Sequence, residues 1–310
     1  MTLKTFFSGG QLIRSAEFRA DAQFLQQAWD NSATRFIAIW QSRGMVAANQ
    51  LVLLTRDELG GKYQLRDSIY LGQQDKQNIF AIELADVLHP DGPQEHSFNN
   101  FRALMGTFSE ADAALLAYAK GMVEWRSRHR FCGVCGAPHT PTSGGFVMEC
   151  SANNCDTRCF PRLDPAIIVL VIRAEKCLLG RQVGWPDGRY STIAGFVEPG
   201  ESLEDAVARE VLEESNIRIS TSRYLGSQPW PFPNAIMLGF HADAESMDIK
   251  LNDGELADAR WLSRDELING DIAVPPPQSI AFRLIEHWFN EWDGKPLQSF
   301  NISSDFRRND

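Results

Sequence analysis

Apolar positions change their period along this chain, and the changes divide it. Ala166-Ile167-Ile168-Val169-Leu170-Val171-Ile172 is a continuous apolar run, the pattern of a central strand covered on both faces. Lys176 to Gln182 reads as a second strand, Tyr190 to Phe196 leads out into a loop, and Ile236 to His241 and Ala259 to Leu262 read as later strands. Between them Leu203, Val207 and Val211 recur every fourth residue, which is one apolar face of a helix. Ser202 is a good N-cap with Asp205 three residues on, a capping-box-like start. No Gly or Pro interrupts the stretch from there to Ser215. Ser263 to Leu267 predicts a short capped helix, Pro275-Pro276-Pro277 a rigid connector, and Ser279 to Trp292 a final amphipathic helix.

The first part of the chain, to about residue 108, leans toward strands. Arg35 to Trp40 and Gln50 to Leu54 are strand-like, and Ser68 to Leu71 with Asn78 to Ile82 predict a hairpin. Ser109 starts a helix running to about Arg128. Arg126, Arg128, His129 and Arg130 form a basic run, read as a helix C-terminus with favourable dipole interactions rather than a nucleic-acid patch.

At 310 residues the chain is long enough for two or three domains with sizeable cores. Its net charge of −10 argues against a broad non-specific nucleic-acid surface. No apolar run approaches the ~20 residues of a membrane span, and no targeting signal is recognisable, so the cytoplasm is the expected compartment.

Five of the six cysteines, Cys132, Cys135, Cys150, Cys155 and Cys159, fall within 28 residues. Cys132-Gly-Val-Cys135-Gly is a knuckle, and Cys150 and Cys155 lie 15 and 20 residues beyond Cys135. Two tight pairs of thiolates suit a closed tetrahedral zinc site better than disulfides. Cys159 is the alternative to Cys155 as fourth ligand. Cys177, in Lys176-Cys177-Leu178-Leu179, reads as a buried core thiol. His129 and His139 flank the region and read as surface histidines.

The richest stretch is GFVEPGESLEDAVAREVLEESNI, Gly195 to Ile217. Glu210 precedes Glu213 and Glu214 by three and four residues, so their carboxylates share a helix face. Like charges at that spacing repel by roughly 0.2–0.5 kcal/mol per exposed pair. Their convergence therefore points to a hard, oxygen-seeking cation such as Mg²⁺ or Mn²⁺. Glu201 lies in the preceding loop, and Arg209, four residues from both Asp205 and Glu213, is placed to hold a carboxylate rather than touch substrate. The spacing resembles the Nudix box, GX5EX7REUXEEXGU with U aliphatic, except that Asn216 stands where the family has Gly. Asn tolerates the left-handed geometry of a helix C′ position, so the loop–helix–loop is expected to survive.

Downstream lies Ser227-Gln228-Pro229-Trp230-Pro231-Phe232-Pro233-Asn234-Ala235. Its prolines stiffen the backbone and exclude a central strand, and a rigid loop holding Trp230 and Phe232 is a suitable wall for a flat heterocycle. Taken alone, however, it reads sooner as a proline-rich ligand of an SH3 or WW domain, or as a plain loop. Following a Nudix box, it is similar to the SQPWPFPxS signature of the NADH pyrophosphatase branch of that family, with Ala235 in place of the last Ser.

The resemblance covers roughly residues 131–290. It implies an α/β fold, the Nudix α/β/α sandwich around a mixed sheet, preceded by a zinc ribbon and a strand-rich N-terminal domain. The boundaries follow as 1–125, 126–163 for the ribbon, 164–295 for the hydrolase domain, and a tail at 296–310. It further implies hydrolysis of NADH or NAD⁺ at the pyrophosphate, two or three catalytic Mg²⁺ or Mn²⁺ ions, one structural Zn²⁺, and a homodimer. Carried over by motif, the catalytic metal ligands are Glu210, Glu214 and the backbone carbonyl of Ala194. Glu255 is a further ligand or base on a later loop, Glu201 or Glu213 assists, and Glu213 or Glu214 is the base. Gln228 to Ala235 line the nucleotide pocket, with Phe160 and Ala281 as additions from similar positions. Removal of an NAD cap from RNA is the same bond cleavage and stays open, as does a broader ADP-ribose-type activity. A non-catalytic sensor would be expected to lose the box glutamates, which are all present.

Overall fold

The computed structural model describes residues 3–84, 97–100, 102, 105–252, 254–270 and 272–300. The chain forms two compact units.

One unit comprises Phe7–Leu163 together with Trp230–Asn234. Helix α1 (Ala22–Asp30) starts at Asp21, whose carboxylate accepts from the Phe24 N–H at 2.9 Å. The sheet that follows contains β1 (Arg35–Trp40), β2 (Arg43–Ala47), β3 (Gln50–Leu51), β4 (Ser68–Gln74), β5 (Gln77–Glu83) and β6 (Ser97–Asn99). Their order is β3-β2-β1-β5-β4, with β6 also on β2; among the described residues only the β1–β5 pair is parallel. Trp29, Phe36, Tyr70 and Phe80 fill its core, with edge-to-face contacts of Trp29 to both phenylalanines at 5.0 and 5.7 Å. The predicted hairpin at 68–82 and the helix from Ser109 are present. The latter is α2 (Glu110–Arg128), its N-cap Ser109 accepting from the Asp112 N–H. The expected strand at 50–54 is only two residues long, and α1, β2 and β6 were not expected.

The basic run belongs to the fold. Arg126 donates to the carbonyls of Ser68 and Arg66, and Arg128 pairs with Glu124. Buried Glu124 also accepts from Ser42 and Lys120, and Lys120 reaches the Pro233 carbonyl at 3.3 Å. Strands β7 (His139–Thr142), β8 (Val147–Cys150) and β9 (Arg158–Cys159) form a small antiparallel sheet.

The other unit comprises residues up to Phe6, Asp164–Pro229 and from Ala235 onward. It contains β10 (Asp164–Arg173), β11 (Lys176–Gln182), β12 (Ile193–Phe196), β13 (Ile219–Trp230), β14 (Ala235–Ala244) and β15 (Leu256–Ser263). It also holds α3 (Leu203–Ser215), α4 (Arg264–Asn269) and α5 (Ile280–Phe289). The sheet order is β13-β14-β10-β11-β15, with β12 also on β10. It is mixed: β14 runs parallel to β10, while β11 and β12 run antiparallel to it.

The apolar run predicted to be doubly covered is so. Ile167, Val169 and Val171 pack with Ala206, Val207 and Val211 of α3. Ile168 and Leu170 pack with Leu284, Ile285 and Trp288 of α5 on the opposite face. Burying each such side chain stabilises the fold by about 1.5–3 kcal/mol relative to exposure. Strand β14 alternates likewise, Phe240 and Ala242 toward α3 and His241 toward α5, where its Nε2 meets the Leu284 carbonyl at 2.9 Å. Burial holds the His241 ring near pKa 4, below the ordinary 6.5, so it is neutral at pH 7.

Two expectations change here. The final helix ends at Phe289 rather than Trp292: Asn290 is its C-cap, the next N–H, of Glu291, bonds three residues back to Trp288, and the Asn290 side chain accepts from the returning Leu297 N–H. Residues 296–300 are consequently not a loose tail; Leu297 is buried in the α5 core. The remainder of the expected tail, 301–310, lies outside the described residues. Cys177 is buried, as expected, and burial pushes its thiol pKa up.

Candidate functional site

The box folds as its residues dictate. Ser202 Oγ accepts from the Asp205 N–H, and Asp205 accepts in return from the Ser202 N–H, both at 3.1 Å. At the other end Asn216 takes φ 62° and ψ 15°, and its N–H meets the Leu212 carbonyl. Asparagine thus fills the left-handed position expected of it.

Arg209 organises the carboxylates. Its guanidinium grips Glu201 through two bonds of 2.6 and 3.0 Å, and reaches Glu210 at 2.9 Å and Glu213 at 3.0 Å. It also donates to the Phe196 carbonyl at the end of β12. Its expected partner Asp205 is engaged in the capping box instead. The guanidinium and the Glu198 N–H hold Glu201 near pKa 2, well below the usual carboxylate value, so it stays ionised. Glu210 shifts the other way. Burial raises it, Arg209 offsets part of that, and the charges of Glu213 and Glu255 add to the rise. Glu255 is therefore within electrostatic reach of the cluster. Glu214 is 4% exposed on the same helix.

Ala194 lies in β12, paired with Ile168 of β10. Its neighbour Gly195 carries the Glu210 carboxylate directly against its Cα, where a methyl group would overlap the carboxylate. The box glycine thus leaves the space in which the Glu210 carboxylate lies. Gly195→Ala is expected to displace the flexible Glu210 side chain rather than the strand. Turnover should fall on the order of 10²-fold with an almost unchanged melting temperature; steady-state rates beside a melting curve check this.

The proline-rich segment departs from its expected role in part. Residues Ser227 to Trp230 are strand, the end of β13, but β13 is an edge strand, where proline is tolerated. Gln228 is fully buried rather than facing a pocket. Its Nε2 donates to the carbonyls of Phe6 and Gln278, and its Oε1 accepts from the Ile280 N–H at the start of α5. Its amide is therefore used to satisfy backbone groups of the scaffold. Beside it, Leu3 N–H bonds to the Leu225 carbonyl and Thr5 Oγ1 to that of Ser227, so the first residues of the chain lie along β13. Ala281 and Ala235 are buried too, Ala281 inside the α5 core. Each is at most 6% exposed.

The tip Trp230–Asn234 packs within the first unit. Trp230 and Phe232 meet edge to face at 5.0 Å, and the Arg102 guanidinium lies 4.3 Å from the Phe232 ring centre. Asn234 donates to the Arg162 carbonyl at 2.7 Å. Pro231 is buried, Pro229 half-buried and Pro233 exposed. Phe160 is 56% exposed.

In the ribbon, the sulfurs of Cys132, Cys135, Cys150 and Cys155 lie within 4.8 Å of one another. Cys132–Cys155 is 3.8 Å and Cys135–Cys150 is 3.4 Å. A tetrahedral zinc site with bonds of about 2.3 Å has sulfur–sulfur edges of about 3.8 Å, so the spacing fits. Cys159 is outside the group, on β9. Backbone N–H groups of Cys135 and Val134 hold the Cys132 thiol at about 5. Cys150 is pushed up to about 12: the Ala152 N–H favours its thiolate, but burial and the other three sulfurs outweigh it. Four sulfurs at this spacing suit a zinc ion, whose binding would hold all four as thiolates. His139 is buried, not on the surface as expected, and its Nδ1 meets the His129 carbonyl.

Among the described residues no helix is long and apolar enough to cross a membrane. Three known families match the chain in succession. They are an NADH pyrophosphatase-like rudimentary NUDIX domain over residues 33–125, an NADH pyrophosphatase zinc ribbon domain over 127–160, and a NUDIX domain over 162–283. The chain belongs to the Nudix hydrolase family, in the branch that carries this zinc ribbon. It is 40% identical over 226 residues to the NAD-capped RNA hydrolase NudC of Pseudomonas syringae pv. tomato, covering 73% of this chain and 78% of the relative. It is 41% identical over 229 residues to the protein of that name from Stutzerimonas stutzeri, covering 73% and 79%. With the human NAD-capped RNA hydrolase NUDT12 it shares 39% identity over 258 residues, 74% of this chain. It spans about half of that longer relative, 56%.

Proposed function

We propose that this chain hydrolyses the central pyrophosphate of NADH and NAD⁺. Water adds across one P–O bond, and the products are nicotinamide mononucleotide, reduced or oxidised, and AMP. The observation that carries the reading is the gathering of Glu201, Glu210 and Glu213 on one guanidinium, with Glu210 packed against Gly195.

We assign Glu210, Glu214, the Ala194 carbonyl and Glu255 as ligands of two or three Mg²⁺ or Mn²⁺ ions. The donor set fits: it is all oxygen, and a single arginine faces several carboxylates, one of which is destabilised by its neighbours' charge. Bound there, such ions supply charge neutralisation of the pyrophosphate and a more acidic water. The protein's own groups do the positioning. Arg209 fixes Glu201, Glu210 and Glu213, and Phe196 O ties that guanidinium to β12. Glu213, its side chain 52% exposed, is available to take a proton from the attacking water; Glu214 is the alternative base.

We assign Trp230 and Phe232, with Pro229, Pro231, Pro233, Asn234 and Phe160, to the nucleotide wall. Gln228, Ala235 and Ala281 act through the scaffold. The four ribbon thiols hold one structural Zn²⁺, which suits a reducing compartment such as the cytoplasm. The N-terminal domain is assigned to homodimer formation.

Removal of NAD caps from RNA is the second reading. It breaks the same bond, and it is favoured by the relatives named as NAD-capped RNA hydrolases. The test is turnover of NADH, NAD⁺, ADP-ribose and NAD-capped RNA side by side with Mg²⁺ or Mn²⁺, products read by mass. The dinucleotide reading expects NADH or NAD⁺ to lead. A lead for capped RNA selects the second reading, and a lead for ADP-ribose overturns both.

A further inference from the structure

His241, His287 and Glu291 gather on the α5 side of the sheet, opposite the face covered by α3. Each offers one ligand atom, and the three atoms lie within 4.8 Å of one another. His241 is 3% exposed. The Leu284 carbonyl that meets its Nε2 can only accept, so Nε2 carries the hydrogen and Nδ1 is left with a lone pair. That Nδ1 is buried and has no hydrogen-bond partner. The His287 ring stands edge-on to it, centroids 5.2 Å apart. His287 Nδ1 approaches Glu291 Oε1 to 3.3 Å but is likewise buried without a hydrogen bond.

Buried ring nitrogens without partners are costly and rare, and one whose other nitrogen is fixed by a backbone carbonyl has the arrangement typical of a metal-ligating histidine. We propose that His241 Nδ1, His287 and Glu291 bind a borderline-soft divalent cation, represented by Zn²⁺, at a site separate from the box and from the ribbon. Two imidazoles and a carboxylate suit Zn²⁺ and its neighbours in the transition series, whereas Mg²⁺ prefers all-oxygen octahedral shells. Three protein ligands leave a fourth tetrahedral position for water. Arg223 opposes the cation: its Nη2 lies 3.6 Å from Glu291 Oε1. Its side chain is 64% exposed and free to turn toward solvent. The charge of Asp243 bears on His241 in the opposite sense. Because His241 is on β14, His287 is in the last turn of α5 and Glu291 follows just beyond it, the ion would clamp the end of α5 to the sheet.

The test is equilibrium dialysis of the full chain against Zn²⁺ in Mg²⁺ buffer, with zinc per chain read by elemental analysis. Two equivalents are expected for the unmodified protein, and one for His287→Ala and for Glu291→Gln. Both substitutions are at partly exposed positions, and circular dichroism checks that each is folded. The proposal is overturned if the unmodified protein binds a single zinc, or if both folded variants still bind two.

Discussion

Glu214→Gln lowers turnover of the pyrophosphate substrate by about 10²–10⁴-fold and leaves the fold standing. Glu214 lies one helical turn beyond Glu210, 4% exposed, on the box helix. Glutamine keeps the shape and removes the charge on which cation binding or proton transfer depends. The helix has other supports. Its capping box, the buried stripe of Ala206, Val207 and Val211 and the Asn216 cap are all untouched. The isosteric amide keeps the packing of this buried position, so the melting temperature should shift little. Turnover, its dependence on Mg²⁺ concentration and a melting curve on the same preparation decide the matter. Near-normal turnover in a folded protein would remove Glu214 from the machinery.

Cys132→Ser is expected to cost one zinc per chain and on the order of 3 kcal/mol of stability, in line with the loss of a structural metal. The ribbon's own core is small, although its turn at Gly145 and Phe146 also packs against Ile69 and beneath the Arg19 guanidinium. Strands β7, β8 and β9 are four, four and two residues long, and its buried side chains include little beyond Cys132, His139 and Met148. So small a core does not support itself without a staple. Cys159→Ser serves as the comparison and is expected to keep its zinc, because that sulfur is outside the four-thiol group. The readouts are elemental analysis, and limited proteolysis between residues 131 and 160. Unchanged zinc content and proteolysis in Cys132→Ser would overturn the ribbon assignment.

What was legible in the sequence is what repeats at a fixed spacing. The unbroken run at Ala166 to Ile172 announced a doubly covered strand, and the every-fourth-residue stripe with Ser202 ahead of it announced α3. The cysteine spacing pointed to the thiol group, though not to the choice between Cys155 and Cys159. What was hidden depends on partners far away in the chain. Gln228 sits in a motif that reads as a ligand wall, yet its amide bonds to backbone 222 and 50 residues distant. The prolines beside it masked β13, since nothing local distinguishes an edge strand from a loop there. His241 ended a strand-like run as an ordinary polar residue. Only the approach of α5 from the other side makes its unpartnered nitrogen visible.

Arg209 has a consequence for how quickly the site can act. A glutamate side chain loses up to about 1.5–2 kcal/mol of rotamer entropy when it is fixed. Because one guanidinium already restrains Glu201, Glu210 and Glu213, that ordering is complete before any cation arrives. Of the ligands proposed above, Glu210 would then exchange one partner for another on binding a cation, without first searching through side-chain conformations.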